Sequence, residues 1–305
     1  MSWKPFVVGV DASSEAAAAA AFALEAATRA GTTCHLVHAV RHAMGSPHAP
    51  EAERSHSVLL EQARAQLAGA LGEAVPAQAL SSLVARLGSA HQVIRDFAAA
   101  CGAELIVLGG KEHSMLGRWI GGSTSLDVVR TTDLPLLVTA GPAPAMRRVL
   151  VAVDLSGAAR PTLAAAARYA ALFGAEVRAL SVHEPIPVIP EVTPPYDVAQ
   201  YYATAQELLD REVWPYIQGD VEKVVRHGMA VETILAEATD WHADLLVVGS
   251  HGKGWAERML VGSVTERLLN QLPTSLLVVP TRVSAAVPVV RREAINALEV
   301  TVAIA

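Results

Sequence analysis

"VVGSHGKGWAERMLVGSVTERLL" (residues 247–269) ends an aliphatic run on Gly249, places Gly252 three residues later, and brings Gly262–Ser263 to the start of a helical pattern. A second stretch of similar build, "VLGGKEHSMLGRWIGGSTSLDVV" (107–129), lies 140 residues earlier with some of its landmarks replaced. Two such stretches at a fixed spacing ask whether the whole chain repeats.

It does. "VVGVD" (7–11) pairs with "LVAVD" (150–154), "LIVLG" (105–109) with "LLVVG" (245–249), Gly122–Ser123 with Gly262–Ser263, and "LLV" at 136–138 with "LLV" at 276–278. Repeat units of this size are duplicated domains, because solenoid units run about 20–50 residues. At 305 residues the length also suits two domains of about 150 each. The expected boundaries are 1–142, 146–281, and a tail at 282–305 that has no counterpart.

Each half reads in the same order. A short apolar strand approaches Asp11 or Asp154, and an Ala-rich helix then runs to Gly31 or Gly174, residues that suit a helix end. A second strand (34–40 or 177–183) leads to a loop with prolines and another helix. A third strand is expected at 79–88 or 221–228, followed by a helix opening near His91 or Val231. The unbroken apolar strands 105–109 and 245–249 come next, then the glycine motif, a helix and a last strand. Pro161 falls in the first turn of its helix, where a missing N–H costs little. Strands alternating with helices, several of them apolar throughout, imply a parallel sheet covered on both faces. The fold class is α/β, twice over. In the tail, Leu298, Val300, Val302 and Ile304 alternate as in an edge strand that extends a sheet or pairs across a subunit boundary.

Composition narrows the function classes. The chain is 52% hydrophobic and 18% charged, with a formal charge of −6, which argues against a nucleic-acid or anionic-membrane partner. Two cysteines, Cys34 and Cys101, are too few for a disulfide framework. The N-terminal "MSWKPFVVGVD" runs straight into a strand pattern without a signal-like segment, and the Ala-rich run is broken by Glu25 and Arg29, so the cytoplasm is the expected location.

The glycines point to a ligand. In an open parallel sheet, ligands collect beyond the carboxyl ends of the strands, where the strand order reverses. Asp154 and Gly249 each sit at such an end, and a carboxylate there accepts from ribose hydroxyls or an adenine amine. Gly249 and Gly252 lack a Cβ, so the backbone approaches a bulky ligand closely. Gly262–Ser263 opens the next helix, whose unpaired N–H groups and positive dipole end suit phosphate oxygens. Lys253 and Arg258 supply positive charge within the loop. A glycine-rich turn that merely needs positive φ is the plainer alternative.

Residues 249–264, "GSHGKGWAERMLVGSV", together with "VAVDLS" (151–156), resemble the ATP-binding motif of the universal stress protein family, and the duplicated layout is similar to its tandem members. The resemblance covers everything but the tail. It implies a five-stranded parallel sheet of order 3-2-1-4-5 in each half, with the halves packed through their last strands. It further implies a regulatory stress protein that binds ATP or AMP. Besides what the resemblance implies, ADP is an alternative ligand, Mg2+ is the expected companion of the phosphates, and a homodimer or larger assembly is expected, with the tail as one route of pairing. By the resemblance, Ala152, Asp154 and Val182 line the adenosine site, with Val182 acting through its backbone. Val248, Gly249, His251 and Gly252 continue it, and Gly262, Ser263 and Val264 hold phosphates.

The first half departs from that pattern. Asp11, Gly109, Gly122 and Ser123 remain, but Glu112 stands where the second half has Gly252, and Ser114 where it has Gly254. A carboxylate a few ångströms from a polyphosphate opposes it by about 1 kcal/mol or more. Nucleotide is therefore expected mainly in the second half.

Other constellations carry less. His35 and His38 fall on opposite faces of a strand, so no metal site is expected. There is no P-loop, no G-x-G-x-x-G after a first strand, and no G-x-S-x-G elbow. Trp255 lies in the motif loop, Trp241 suits a helix end, and Tyr201–Tyr202 are candidates for a lid or for a plain surface loop. A slow ATPase, nucleotidyl- or phosphotransferase using the same pocket is the alternative function. Phosphoryl transfer asks for metal-holding groups and a positioned base, and beyond Asp154 and Ser263 the sequence offers no clear acidic pair. A flavodoxin-like electron carrier is a third and poorer option.

Overall fold

Strand β1 (Phe6–Gly9) shows why an unbroken apolar run belongs inside a covered sheet: Phe6 and Val8 enter one core, Val7 the other. Successive side chains of a strand point to opposite faces, so a strand with helices on both sides is apolar throughout. The computed structural model describes residues 2–41, 50–110, 124–141, 146–185, 198–251 and 261–281.

The first repeat continues with α1 (Ser14–Ala30), β2 (Cys34–Val40), α2 (Pro50–Leu71), the short α3 (Ala77–Ser81), β3 (Val84–Leu87), α4 (Ala90–Ala100), β4 (Leu105–Gly109), α5 (Thr124–Thr131) and β5 (Leu136–Thr139). The second contains β6 (Arg148–Ala152), α6 (Ala159–Phe173), β7 (Glu176–His183), α7 (Val198–Glu212), a 3-10 turn (Trp214–Tyr216), β8 (Glu222–His227), α8 (Ala230–Asp240), β9 (Leu245–Gly249), α9 (Ser263–Gln271) and β10 (Ser275–Val279). No described helix is long and apolar enough to cross a membrane.

The expectation of two five-stranded sheets is refined in one respect. The strands form a single ten-stranded sheet in the order β3-β2-β1-β4-β5-β10-β9-β6-β7-β8. Within each repeat the order is third-second-first-fourth-fifth and every pairing is parallel; the one antiparallel junction joins β5 to β10, with Leu137 opposite Leu277. Both strands are buried along their length, so neither half has an exposed edge at this seam. Leu136, Leu276 and Leu277 are almost fully buried, and each such side chain contributes roughly 2 kcal/mol.

The helices divide by face. Side chains of α1, α2, α6 and α7 join one core, and those of α4, α5, α8 and α9 the other. Helix α1 lays a stripe of alanines (Ala16, Ala19, Ala20, Ala23, Ala26, Ala27) with Phe22 on the sheet. Both α1 and α6 end on a left-handed glycine, Gly31 at φ 64° and Gly174 at φ 65°. Their starts differ. Ser13 caps α1 by accepting from Ala16 N, so α1 begins three residues after Asp11. Helix α6 begins five residues after Asp154, which leaves a longer loop at the mouth of the second repeat.

The third strand of the first repeat is shorter than its sequence suggests. Residues 77–81 form α3, and only Val84–Leu87 is strand. Pro76 starts the helix, while the Ser81 and Ser82 hydroxyls donate to the Gln78 and Ala79 carbonyls. Local hydroxyl–backbone bonds of this kind compete with a ladder.

Candidate functional site

Strand β6 lies between β7 and β9, so the chain leaves it toward one side and returns on the other. This is the reversal at which α/β sheets hold ligands. Asp154 follows the carboxyl end of β6, and Gly249 ends β9 beside it. The Asp154 carboxylate is fixed by its own loop, accepting from Ser156 N at 3.1 Å and from Ser156 Oγ. In the first repeat Asp11 is held by Ser13 in the same manner.

The motif loop of the second repeat is clamped at its base. Gly262 N donates to Ser250 O at 2.9 Å, and Thr265 Oγ1 donates to Gly249 O at 2.7 Å. Ser250 Oγ accepts from Thr281 N at 3.1 Å and lies 2.9 Å from His251 Nδ1. The end of β9, the start of α9 and the end of β10 therefore form one hydrogen-bonded unit. Ser250, Thr265 and Thr281 were not singled out in the sequence. Their roles depend on which strand ends meet, and motif spacing does not carry that information.

Helix α9 begins without a side-chain cap. Its first internal bond runs from Glu266 N to Gly262 O, and Gly262 at φ −59°, ψ 143° has no side chain to offer. The N–H groups of Ser263, Val264 and Thr265 precede that bond and lack an intrahelical acceptor. Several orphan donors at the positive end of a helix favour an anion. Burial lowers the pKa of His251, so its imidazole is neutral at pH 7. Its Nε2 is buried with no hydrogen-bond partner among the described residues.

The two repeats differ where they most resemble each other. A Cβ built on Gly249 would meet Ala158 Cβ, Thr162 Oγ1 and Thr281 Cγ2, each at 3.2 Å. All three are side-chain atoms. A Cβ on Gly109 would meet the backbone of α1 instead, Glu15 C and O at 2.5 Å and Ala16 N at 2.7 Å. The early start of α1 brings its first turn against the end of β4. The crevice of the first repeat is thus narrowed by its own main chain.

Of the sequence candidates, Ala152, Asp154, Val248, Gly249, His251, Gly262, Ser263 and Val264 come together at the carboxyl ends of β6 and β9 and the start of α9. Val182 lies at the end of β7, the neighbour of β6. In the first repeat Asp11 and Gly109 hold the equivalent places. Gly252, Lys253, Trp255, Arg258, Glu112, Gly122, Ser123 and the tail lie outside the described residues.

The remaining candidates make contacts of their own. Tyr201 and Tyr202 belong to helix α7, and Tyr202 stacks on His227 with ring centroids 4.0 Å apart. Trp241 follows α8 and is buried, with the Arg178 guanidinium 4.5 Å over its ring. His38 Nδ1 donates to Val10 O at 2.7 Å, and His35 packs edge-on against Phe97. No cluster of three metal-ligating side chains occurs among the described residues.

Comparison with known proteins agrees with this architecture. The sequence model of the universal stress protein family matches the chain twice, over residues 2–140 and 146–280. A universal stress protein of Mycolicibacterium smegmatis is 29% identical over 294 residues, covering 90% of this chain and 97% of that protein. One from Mycobacterium tuberculosis is 28% identical over 285 residues, covering 89% and 95% respectively. In structure, a universal stress protein from Archaeoglobus fulgidus superposes with a TM-score of 0.62 at 16% identity, covering 90% of this chain and 98% of that one, and so shares the fold. With two matches of the family model that together span nearly the whole described sheet, the chain belongs to the universal stress protein family, in its two-repeat form.

Proposed function

We propose that this protein binds an adenine nucleotide, ATP or its di- or monophosphate with Mg2+ as counter-ion, in the crevice of the second repeat, and acts as a regulatory nucleotide-binding module. The observation that carries this reading is the uncapped start of α9 beside Asp154 and Gly249. Orphan amides suit phosphate oxygens and a fixed carboxylate suits a ribose diol, while the missing side chain of Gly249 lets the start of α6 and Thr281 pack against the strand end. The backbone at Val182 serves the adenine edge. His251, neutral and buried at Nε2, is an uncharged contact on the same wall. The residues present therefore fit the nucleotide, and Lys253 and Arg258 add charge complementary to its phosphates.

The second repeat is favoured for a further reason beyond Glu112. A Cβ on Gly109 would come within 2.5 Å of the α1 main chain, whereas the nearest atoms to one on Gly249 stand at 3.2 Å, so the end of β4 is the more tightly packed of the two.

Denaturing the purified chain and identifying the released nucleotide tests the proposal. Retained adenine nucleotide without turnover supports a binding module. Steady multiple turnover that is lost in Asp154→Ala would make the protein an enzyme, and a preparation that neither carries nor takes up adenine nucleotide would overturn the reading.

A further inference from the structure

Helix α9 touches both repeats. Its first turn forms the phosphate end of the crevice just described, and the residue that caps its end reaches the other half. Leu272, which terminates α9, has φ 37° and ψ 64°, in the left-handed region that leucine rarely occupies. This conformation places its side chain on Gly110, where a Cβ would overlap Leu272 Cδ2. Gly110 follows directly on β4, is tied to β5 through Gly110 N to Thr139 O at 2.9 Å, and is the root of the first repeat's motif loop. A second contact lies at the other end of the helix, with Arg130 of α5 3.8 Å from Glu266 in the first turn of α9. Leu268 and Leu269 of α9 share a core with Leu126, Val128 and Val129 of α5.

The residues at the equivalent places in the opposite direction are different ones. By the repeat alignment, Thr132 stands where Leu272 does, and Ser250 where Gly110 does. Thr132 Oγ1 accepts from Leu134 N within its own turn, and the Ser250 hydroxyl is used by Thr281 and His251. Glycine on one side and leucine on the other make a knob and a socket that run from the second repeat to the first.

We propose that α9 couples the two repeats, so that nucleotide on its first turn is felt at Gly110 and α5 through Leu272 and Arg130. The coupling rests on the nucleotide reading above. A short helix moves as a body, and both of its ends are held against packed atoms, so a shift or stiffening at one end reaches the other. By linkage, whatever engages the first repeat's loop then changes nucleotide affinity by the same factor.

Hydrogen exchange of the full chain with and without saturating Mg-ATP, run beside calorimetric titration, tests this. The expected result is that nucleotide slows exchange at least about 3-fold in peptides covering Gly110 and α5, as well as in α9. Leu272→Gly, which suits the left-handed geometry, and Arg130→Gln, on the far side of the contact, should each keep nucleotide affinity within about 3-fold and weaken that distant response; together they should remove it. Nucleotide bound and α9 protected, with the first repeat unchanged, would overturn the coupling alone. An intact response in the double variant would also overturn it. Absence of binding in the titration would remove the nucleotide reading and the coupling with it.

Discussion

Thr265 Oγ1, in the first turn of α9, donates to the Gly249 carbonyl at the end of β9 over 2.7 Å, so a side chain of that helix fastens the strand end at the candidate site. Thr265 is buried, and its partner is main chain. Replacing it by valine keeps the shape and leaves the carbonyl without that donor. Thr265→Val should lower stability by about 1–3 kcal/mol in urea denaturation and weaken nucleotide binding, and Thr265→Ser should restore both in large part.

The glycines at the two β-strand ends should respond differently to one methyl group. In Gly109→Ala the new Cβ collides with the backbone of α1, and a loss of about 1–3 kcal/mol or more is expected. In Gly249→Ala the nearest atoms are Ala158 Cβ, Thr162 Oγ1 and Thr281 Cγ2 at 3.2 Å, so the chain should fold with a loss nearer 1 kcal/mol while the shifted start of α6, next to Asp154, lowers nucleotide affinity more than about 10-fold. Thermal denaturation and titration of the two variants side by side check this.

Buried Glu237 is held by Arg178 Nη1 at 2.7 Å and Arg226 Nε at 2.9 Å, with Trp241 over Arg178. At the matching positions the first repeat has Phe97, His35 and Arg86, an aromatic contact in place of an ionic one. Glu237→Ala leaves the largely buried Arg178 guanidinium with Glu222 as its remaining carboxylate and should cost about 1–3 kcal/mol, whereas Arg178→Met with Glu237→Leu should cost less. Denaturant midpoints of the single and double variants decide it.

His251 supplies a pH dependence of known sign. Its folded-state pKa lies below the ordinary value of 6.5 because burial disfavours the charged ring. As pH falls below about 6.5, the unfolded chain takes up a proton that the native one does not, and stability decreases until the folded value is passed. His251→Gln should remove this component from a stability–pH curve measured between about pH 5 and 7.5.

The two thiols should be slow to react in the native chain. Burial pushes Cys34 up to about 12 and also raises Cys101. A thiol reagent at pH 8 should modify Cys101 slowly and Cys34 only on unfolding, since the thiolate is the reactive species. Mass spectrometry of peptides from native and urea-treated protein distinguishes the two.

The large features were legible in the residues because periodicity and duplication carry them. Apolar strands at 105–109 and 245–249 could only be interior, and Gly31 and Gly174 stopped their helices where expected. Two kinds of feature were hidden. The first is competition between local bonds: Ser81 and Ser82 turn their hydroxyls to nearby carbonyls and shorten β3. The second is anything that depends on which ends meet in space. Ser250, Thr265 and Thr281 look like ordinary hydroxyl residues until β9, β10 and α9 are brought together. Leu272 on Gly110 likewise needs the antiparallel seam between repeats before it means anything.

Calorimetric titration of the purified, nucleotide-free chain with Mg-ATP measures the central claim most directly. The account predicts one site per chain, whose affinity falls at least about 100-fold in Asp154→Ala and little in Asp11→Ala. Two equivalent sites per chain, or a single site indifferent to Asp154→Ala, would contradict it.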